Sequence, residues 1–137
     1  MKNASRNIEP REIPSDVSVN YPVESAIIPT SFWLGGLKID VVFDESLIKS
    51  KNIIGEARYC KQQILLDPSM APLQMLEQSF MHELVHWIFY MMGEDEMRGN
   101  EKLVDLFAHF LYQAKMTEQK EITQTLSSDL SAELQGE

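Results

Sequence analysis

His82-Glu83-Leu84-Val85-His86 is the pattern H-E-x-x-H, two histidines four residues apart with a glutamate directly after the first. On a helix, residues four apart lie on one face about one turn from each other, so the two imidazoles can converge on a single metal ion. Glu83 is turned by about 100° around such a helix and can reach a water on that ion without being a ligand itself. Zinc lowers the pKa of a coordinated water to about 7, and a neighbouring carboxylate can take the proton and pass it to a leaving amine. The competing reading makes His82 and His86 ordinary polar residues of an amphipathic helix. The chain holds only three histidines, so finding two of them at ligand spacing favours the metal.

A catalytic zinc takes three protein ligands and keeps a fourth position open. A third histidine six residues after His86 would indicate the metzincin arrangement, but that position is Met92, and the glycine expected three after His86 is Phe89. The following stretch supplies Glu101 instead, with Asp105 one helical turn later. Sharing a face, one carboxylate can bind the metal while the other holds a ligand imidazole by its second nitrogen. Leu103, Val104, Leu106, Phe107 and Phe110 surround the pair, so the expectation is that apolar surface limits the solvation of both acids. Tyr59, Arg98, His109 and Tyr112 are candidate donors to a developing oxyanion, and none has a motif to anchor it. His109 is read as a partly buried structural histidine in preference to a site residue.

These groups need two helices and a support. Pro72 stands near the first position of a helix expected from about Leu73 to Met92 and closed by Gly93. Asn100 is a suitable N-cap for a second helix running to about Met116. Ahead of them, Leu37 to Asp44 alternates and then becomes β-branched, as a half-buried strand does, with Gly35-Gly36 marking its start. Gly55 to Cys60 and Gln63 to Asp67 read as a hairpin joined by Lys61-Gln62. Met75, Met81, Met91, Met92 and Met97, with Phe80, Trp87, Ile88 and Phe89, are expected to fill the core and groove. Phe32 and Trp33 are expected to pack near the first strand. The fold class is therefore α+β: a small twisted mixed sheet against the helix that carries H-E-x-x-H and a second ligand helix.

Three regions follow. Residues 1–33 form a proline-rich arm, holding Pro10, Pro14, Pro22 and Pro29 with Val17, Val19, Tyr21, Val23, Ile27 and Ile28 between and beside them. Such an arm is apolar enough to lie along its own domain, which is favoured over binding a partner. Residues 34–117 form the domain, and residues 118–137 a polar tail with five acids against Lys120.

Composition narrows the function. Twelve Lys and Arg against 21 Asp and Glu give a net charge of −9 over 137 residues, which repels phosphate backbones and argues against direct nucleic-acid binding. The single cysteine, Cys60, excludes paired-cysteine zinc ribbons and fits a reducing compartment. No apolar secretory core is visible near Met1, and the longest apolar stretch, Leu84 to Met92, contains His86 and is too short to span a bilayer. A soluble cytoplasmic protein without membrane attachment is expected.

His82-Glu83-Leu84-Val85-His86 followed by Glu101-Lys102-Leu103-Val104-Asp105-Leu106-Phe107-Ala108 resembles the two motifs of ImmA/IrrE-type metallopeptidases, E-x-x-A-[ND]-x-F-A being the second, with Val104 in place of the usual alanine. The strand and hairpin block from Leu34 to Asp67 is similar in order and spacing to that family's sheet, so the resemblance covers about residues 34–116. It implies a minimal zincin-like domain of gluzincin type with His82, His86 and Glu101 binding Zn2+, Glu83 as general base and acid, and Asp105 steadying a ligand. It further implies that the strand near Ala57 to Cys60 is the sheet edge on which a substrate peptide is laid as an added strand. The family's substrates include helix-turn-helix repressors, often in phages and mobile elements, and its first helix is replaced here by the proline-rich arm. The expected activity is zinc-dependent hydrolysis of peptide bonds in an intracellular protein. The alternative is a non-proteolytic binding or inhibitory protein that retains zinc structurally, against which an intact Glu83 counts.

Overall fold

In the computed structural model, which describes residues 23–119, two consecutive glycines, Gly35 (φ 58°) and Gly36 (φ 82°), close the first hairpin. A two-residue turn with both residues left-handed follows the natural twist of paired strands, and glycine adopts it without strain. The turn joins β1 (Ser31–Leu34) to β2 (Leu37–Phe43), antiparallel with Leu34 opposite Leu37. β1 was not expected, because the prolines before it read as a continuous arm to residue 33. The two glycines are a turn between strands rather than the start of the first one.

A short helix, α1 (Leu47–Lys51), leads into β3 (Gly55–Arg58) and β4 (Gln63–Leu66). The expected hairpin is present, but its strand ends at Arg58 and its loop is four residues, Tyr59 to Gln62, in place of a two-residue Lys61-Gln62 turn. Lys-Gln lacks the residues that tolerate two successive left-handed positions. Only Gln62 adopts one, at φ 54°, and its N–H donates to the Tyr59 carbonyl at 3.2 Å. The sheet is mixed, ordered β1-β2-β4-β3, with β2 and β4 parallel and both outer pairs antiparallel. β3 is thus an edge strand.

α2 (Leu73–Met92) follows Pro72, whose φ of −63° suits the approach to a helix, and ends at Gly93 (φ 75°), whose N–H reaches the Phe89 and Tyr90 carbonyls. A single turn, α3 (Asp95–Arg98), separates it from α4 (Glu101–Met116), where the Asn100 side chain accepts from Leu103 N at 3.1 Å. One flank of α2 lies on β3 and β4 and another on α4. Leu76, Phe80, Val85 and Trp87 are therefore buried among Ile39, Ile64, Leu66, Val104 and Ala108. Trp87 is fully buried and donates its indole N–H to the Gln63 carbonyl at 3.1 Å, which ties the helix to β4 without an orphaned donor. Phe32 packs edge to face on Phe80 at 5.9 Å.

The methionine expectation holds only in part. Met81 is buried and Met97 packs against the core, but Met75, Met91 and Met92 are exposed, as is Trp33 on the outer face of β1. A helix packed along two flanks still leaves a third to water, and α2 carries apolar residues there too.

Val23, Ile27 and Ile28 pack on the core, and the chain leading to β1 is fastened by polar groups. Ser25 accepts the N–H groups of Ile27 and Ile28 and donates to Glu77 Oε2 at 2.6 Å, while the Tyr112 hydroxyl donates to Glu77 Oε1 at 2.7 Å. Glu77 and Tyr112 are both buried, so this carboxylate on α2 holds the leading segment and α4 together. The expected arm before residue 23, with Val17, Val19 and Tyr21, and the acidic tail from residue 120 lie outside the described residues. No helix among the described residues is long and apolar enough to cross a membrane.

Candidate metal centre

The i, i+4 spacing on α2 sets the His82 and His86 rings side by side, their centroids 4.9 Å apart. Both turn Nε2 toward Glu101, the first residue of α4: His82 Nε2 is 3.1 Å from Oε1 and His86 Nε2 is 3.2 Å from Oε2. One ligand atom from each of the three residues lies within 4.8 Å of the other two, so the group could hold a metal ion. Two imidazole nitrogens and one carboxylate oxygen form a three-donor set that leaves a coordination position free.

The far sides of the rings are held as well. Asp105 Oδ1 lies 3.4 Å from His82 Nδ1, and the His86 ring is hydrogen-bonded to the backbone of Arg98. Such outer partners fix the orientation of a ligating imidazole. Burial pulls the His86 pKa below its ordinary value, against the opposing pull of Glu101, which favours the neutral ring with a lone pair available.

Glu101 and Asp105 are not shielded as expected: their side chains are 69% and 77% exposed, and Leu106, Phe107 and Phe110 face water alongside them. Position at the first turn of α4 still suits Glu101, since a carboxylate there is favoured by the helix dipole.

Glu83 is in a different environment from the other acids. Its side chain is buried against β3, where the Ala57 backbone bonds it and a side chain on Gly55 would meet its Cγ at 3.2 Å. Burial raises its pKa to about 7; the Glu101 charge pushes the same way, while His82 and the Ala57 hydrogen bond pull it down. A carboxylate with a pKa near neutrality is matched to giving and taking protons at physiological pH.

A cavity of about 500 Å³ opens on this group, lined by Ile53, Ala57 and Tyr59 from the β3 side and by His82, Glu83, His86, Arg98 and Glu101. A second hollow of about 380 Å³ shares Ile53, Gly55, His82 and Glu83 and extends past Met75, Gln78, Ser79 and Asp105. The two hollows adjoin at Ile53, Gly55, His82 and Glu83, and His86 lines the first.

Of the four candidate oxyanion donors, Tyr59 and Arg98 line the cavity. Tyr112 is elsewhere, buried and bonded to Glu77, and burial first and Glu77 second push its pKa up to about 12. His109 is exposed, beside a small hollow with Gln78, Asp105 and Ala108, and is neither partly buried nor a member of the ligand group. Cys60 is exposed in the hairpin loop, outside both cavities. Gly55 was missed; the sequence signal was a glycine opening a strand, a position where close approach of another group is common.

No family model matches the chain, no curated protein matches it, and no solved structure matches it.

Proposed function

We propose that the protein is a zinc-dependent endopeptidase of zincin-like fold that hydrolyses peptide bonds in an intracellular protein, a helix-turn-helix repressor being the first substrate to try. The observation that carries this reading is the convergence of His82, His86 and Glu101, each with a ligand atom within 4.8 Å of the others, beside a Glu83 that is buried and not part of the trio. A structural metal site has no use for a buried acid beside its three ligands; a hydrolase does. Two nitrogens and one oxygen donor with an open position are the donor set of catalytic zinc.

Bound there, zinc supplies a Lewis acid that acidifies water and polarises a carbonyl. Glu83, buried beside the three ligand residues and outside their set, would take a proton from the attacking water and return it to the leaving nitrogen. Asp105 and the Arg98 backbone keep the two imidazoles aimed. β3 is an edge strand in the described residues, along which an extended peptide can add as a further strand beside the hollows that His82 and Glu83 line.

The test is zinc content of the purified protein, together with mass-spectrometric detection of fragments from unfolded protein and from helix-turn-helix repressors. Wild type is expected to hold one zinc and cleave; Glu83→Gln should keep the zinc and lose about 100-fold or more of the turnover. A zinc-free protein sinks the assignment. Bound zinc with no cleavage by wild type favours a binding or inhibitory protein, and cleavage unchanged in Glu83→Gln removes Glu83 as the base.

A further inference from the structure

Resting on the peptidase reading, we infer that Tyr59 is the protein's own donor to the reacting carbonyl oxygen and that Arg98 is the positioning residue that aims its hydroxyl. Tyr59 follows the last residue of β3 and lines the same cavity as His82, Glu83, His86 and Glu101. Its ring cannot turn freely. It stacks on Tyr90 at 4.3 Å, meets Trp87 edge to face at 5.0 Å, and carries the Arg98 guanidinium over it at 5.2 Å. Arg98 is held in turn by Asp95 at 3.2 Å and by the Tyr90 ring at 5.6 Å.

The hydrogen-bonding inventory gives the direction of donation. Arg98 has donors and no acceptor, so the phenolic oxygen facing it can only accept from it. The single phenolic proton is left for another partner, and the cavity is where that partner would come from. Burial keeps the phenol protonated, Glu83 and Glu101 add to that, and Arg98 opposes them, which polarises the O–H as a donor. A preorganised donor of this sort acts where negative charge develops on oxygen after attack, and it costs no reorganisation at that moment. Among the residues lining this cavity Tyr59 has the neutral hydroxyl and Arg98 the permanent cation; the acids beside them would repel an oxyanion.

The test uses the zinc-loaded full chain and two probes: a peptide phosphinate, whose tetrahedral anion imitates the attacked carbonyl, and acetohydroxamate, a flat metal chelator. Tyr59→Phe is expected to weaken phosphinate binding by roughly 10- to 100-fold and to leave acetohydroxamate binding, zinc affinity and melting temperature unchanged. Arg98→Met should weaken the phosphinate as well, with Arg98→Lys recovering part of the loss, since a charge is restored without the planar fork. Equal phosphinate affinity for wild type and Tyr59→Phe overturns the assignment, as does a parallel loss for both probes, which marks general distortion. So does a wild type that holds zinc and binds no phosphinate. A wild type that takes no zinc overturns the peptidase reading itself, and this assignment with it.

Discussion

Asp105 Oδ1 stands 3.4 Å from Nδ1 of His82, while Nε2 of the same ring faces Glu101 at 3.1 Å. The imidazole is thus spanned by two carboxylates one turn apart on α4, one on its ligand side and one behind it. Asp105→Ala is expected to weaken metal binding by roughly 10- to 100-fold, with Glu101→Ala weakening it further. Competition against a chromophoric chelator measures both. Equal affinities for Glu101→Ala and wild type would remove Glu101 from the ligand set.

Gly55 bears on Glu83 through space alone. A methyl at that position would lie 3.2 Å from Glu83 Cγ and 3.2 Å from Leu66 Cδ2, tighter than ordinary contact. Gly55→Ala should therefore displace the Glu83 carboxylate and cut turnover at least tenfold, the order of effect expected of a misplaced catalytic group, while zinc content stays at the wild-type level. Unaltered turnover would mean that Glu83 does not work from this position.

The N-cap of α4 adjoins Glu101, a member of the candidate metal group. Asn100 accepts from Leu103 N at 3.1 Å and precedes Glu101 directly. Asn100→Ala is expected to cost about 0.5–2 kcal/mol of stability and to lower zinc affinity at the same time, because fraying of the first turn moves Glu101. Chemical denaturation with and without zinc separates the two effects: the loss should be larger in the zinc-loaded protein.

Acid sensitivity should centre on Asp67. The residue is fully buried; burial by itself would raise its pKa, but hydrogen bonds from the backbone of Ile48, Leu47 and Ser69 and from the Ser69 hydroxyl outweigh that and hold it below 3.8. A folded-state pKa lowered in this way contributes stability that is complete above the unfolded value and is lost as pH falls through the folded one. Asp67→Asn should cost about 1–3 kcal/mol near neutrality, where a charged acceptor is replaced. It should also flatten the stability profile below the ordinary carboxylate pKa of 3.8. Identical acid limbs for both proteins, followed by circular dichroism, would count against this account.

Both long helices were legible because their ends are punctuated by residues with a local role: Pro72 and Gly93 bound α2, and Asn100 opens α4. The i, i+4 histidines were legible for the same reason, since helix geometry alone puts them together. What escaped depended on contacts distant in sequence. β1 is a strand because Gly35-Gly36 returns it to β2, against the local pull of the prolines before it. A mixed sheet was expected, but that β2 and β4 are its parallel pair leaves no local trace. The exposure of Glu101 and Asp105 is a matter of where α4 sits relative to α2, which apolar neighbours in sequence could not report. The clustering of Tyr59, Tyr90 and Arg98 joins a hairpin loop to the region between the helices, a meeting that no spacing rule anticipates.

One buried carboxylate has a reach that bears on how this chain could be shortened. Ser25 and Tyr112 each donate to a different oxygen of Glu77, so trimming the chain at Ser31, where the sheet begins, would take away one of the two donors and uncover the other. Losing a hydrogen bond to a charged group costs about 1.5–3 kcal/mol, and the apolar cover given by Val23, Ile27 and Ile28 goes with it. The smallest autonomous unit therefore starts upstream of the first strand, and Ser25 behaves as a latch for the domain rather than as part of a disposable leader.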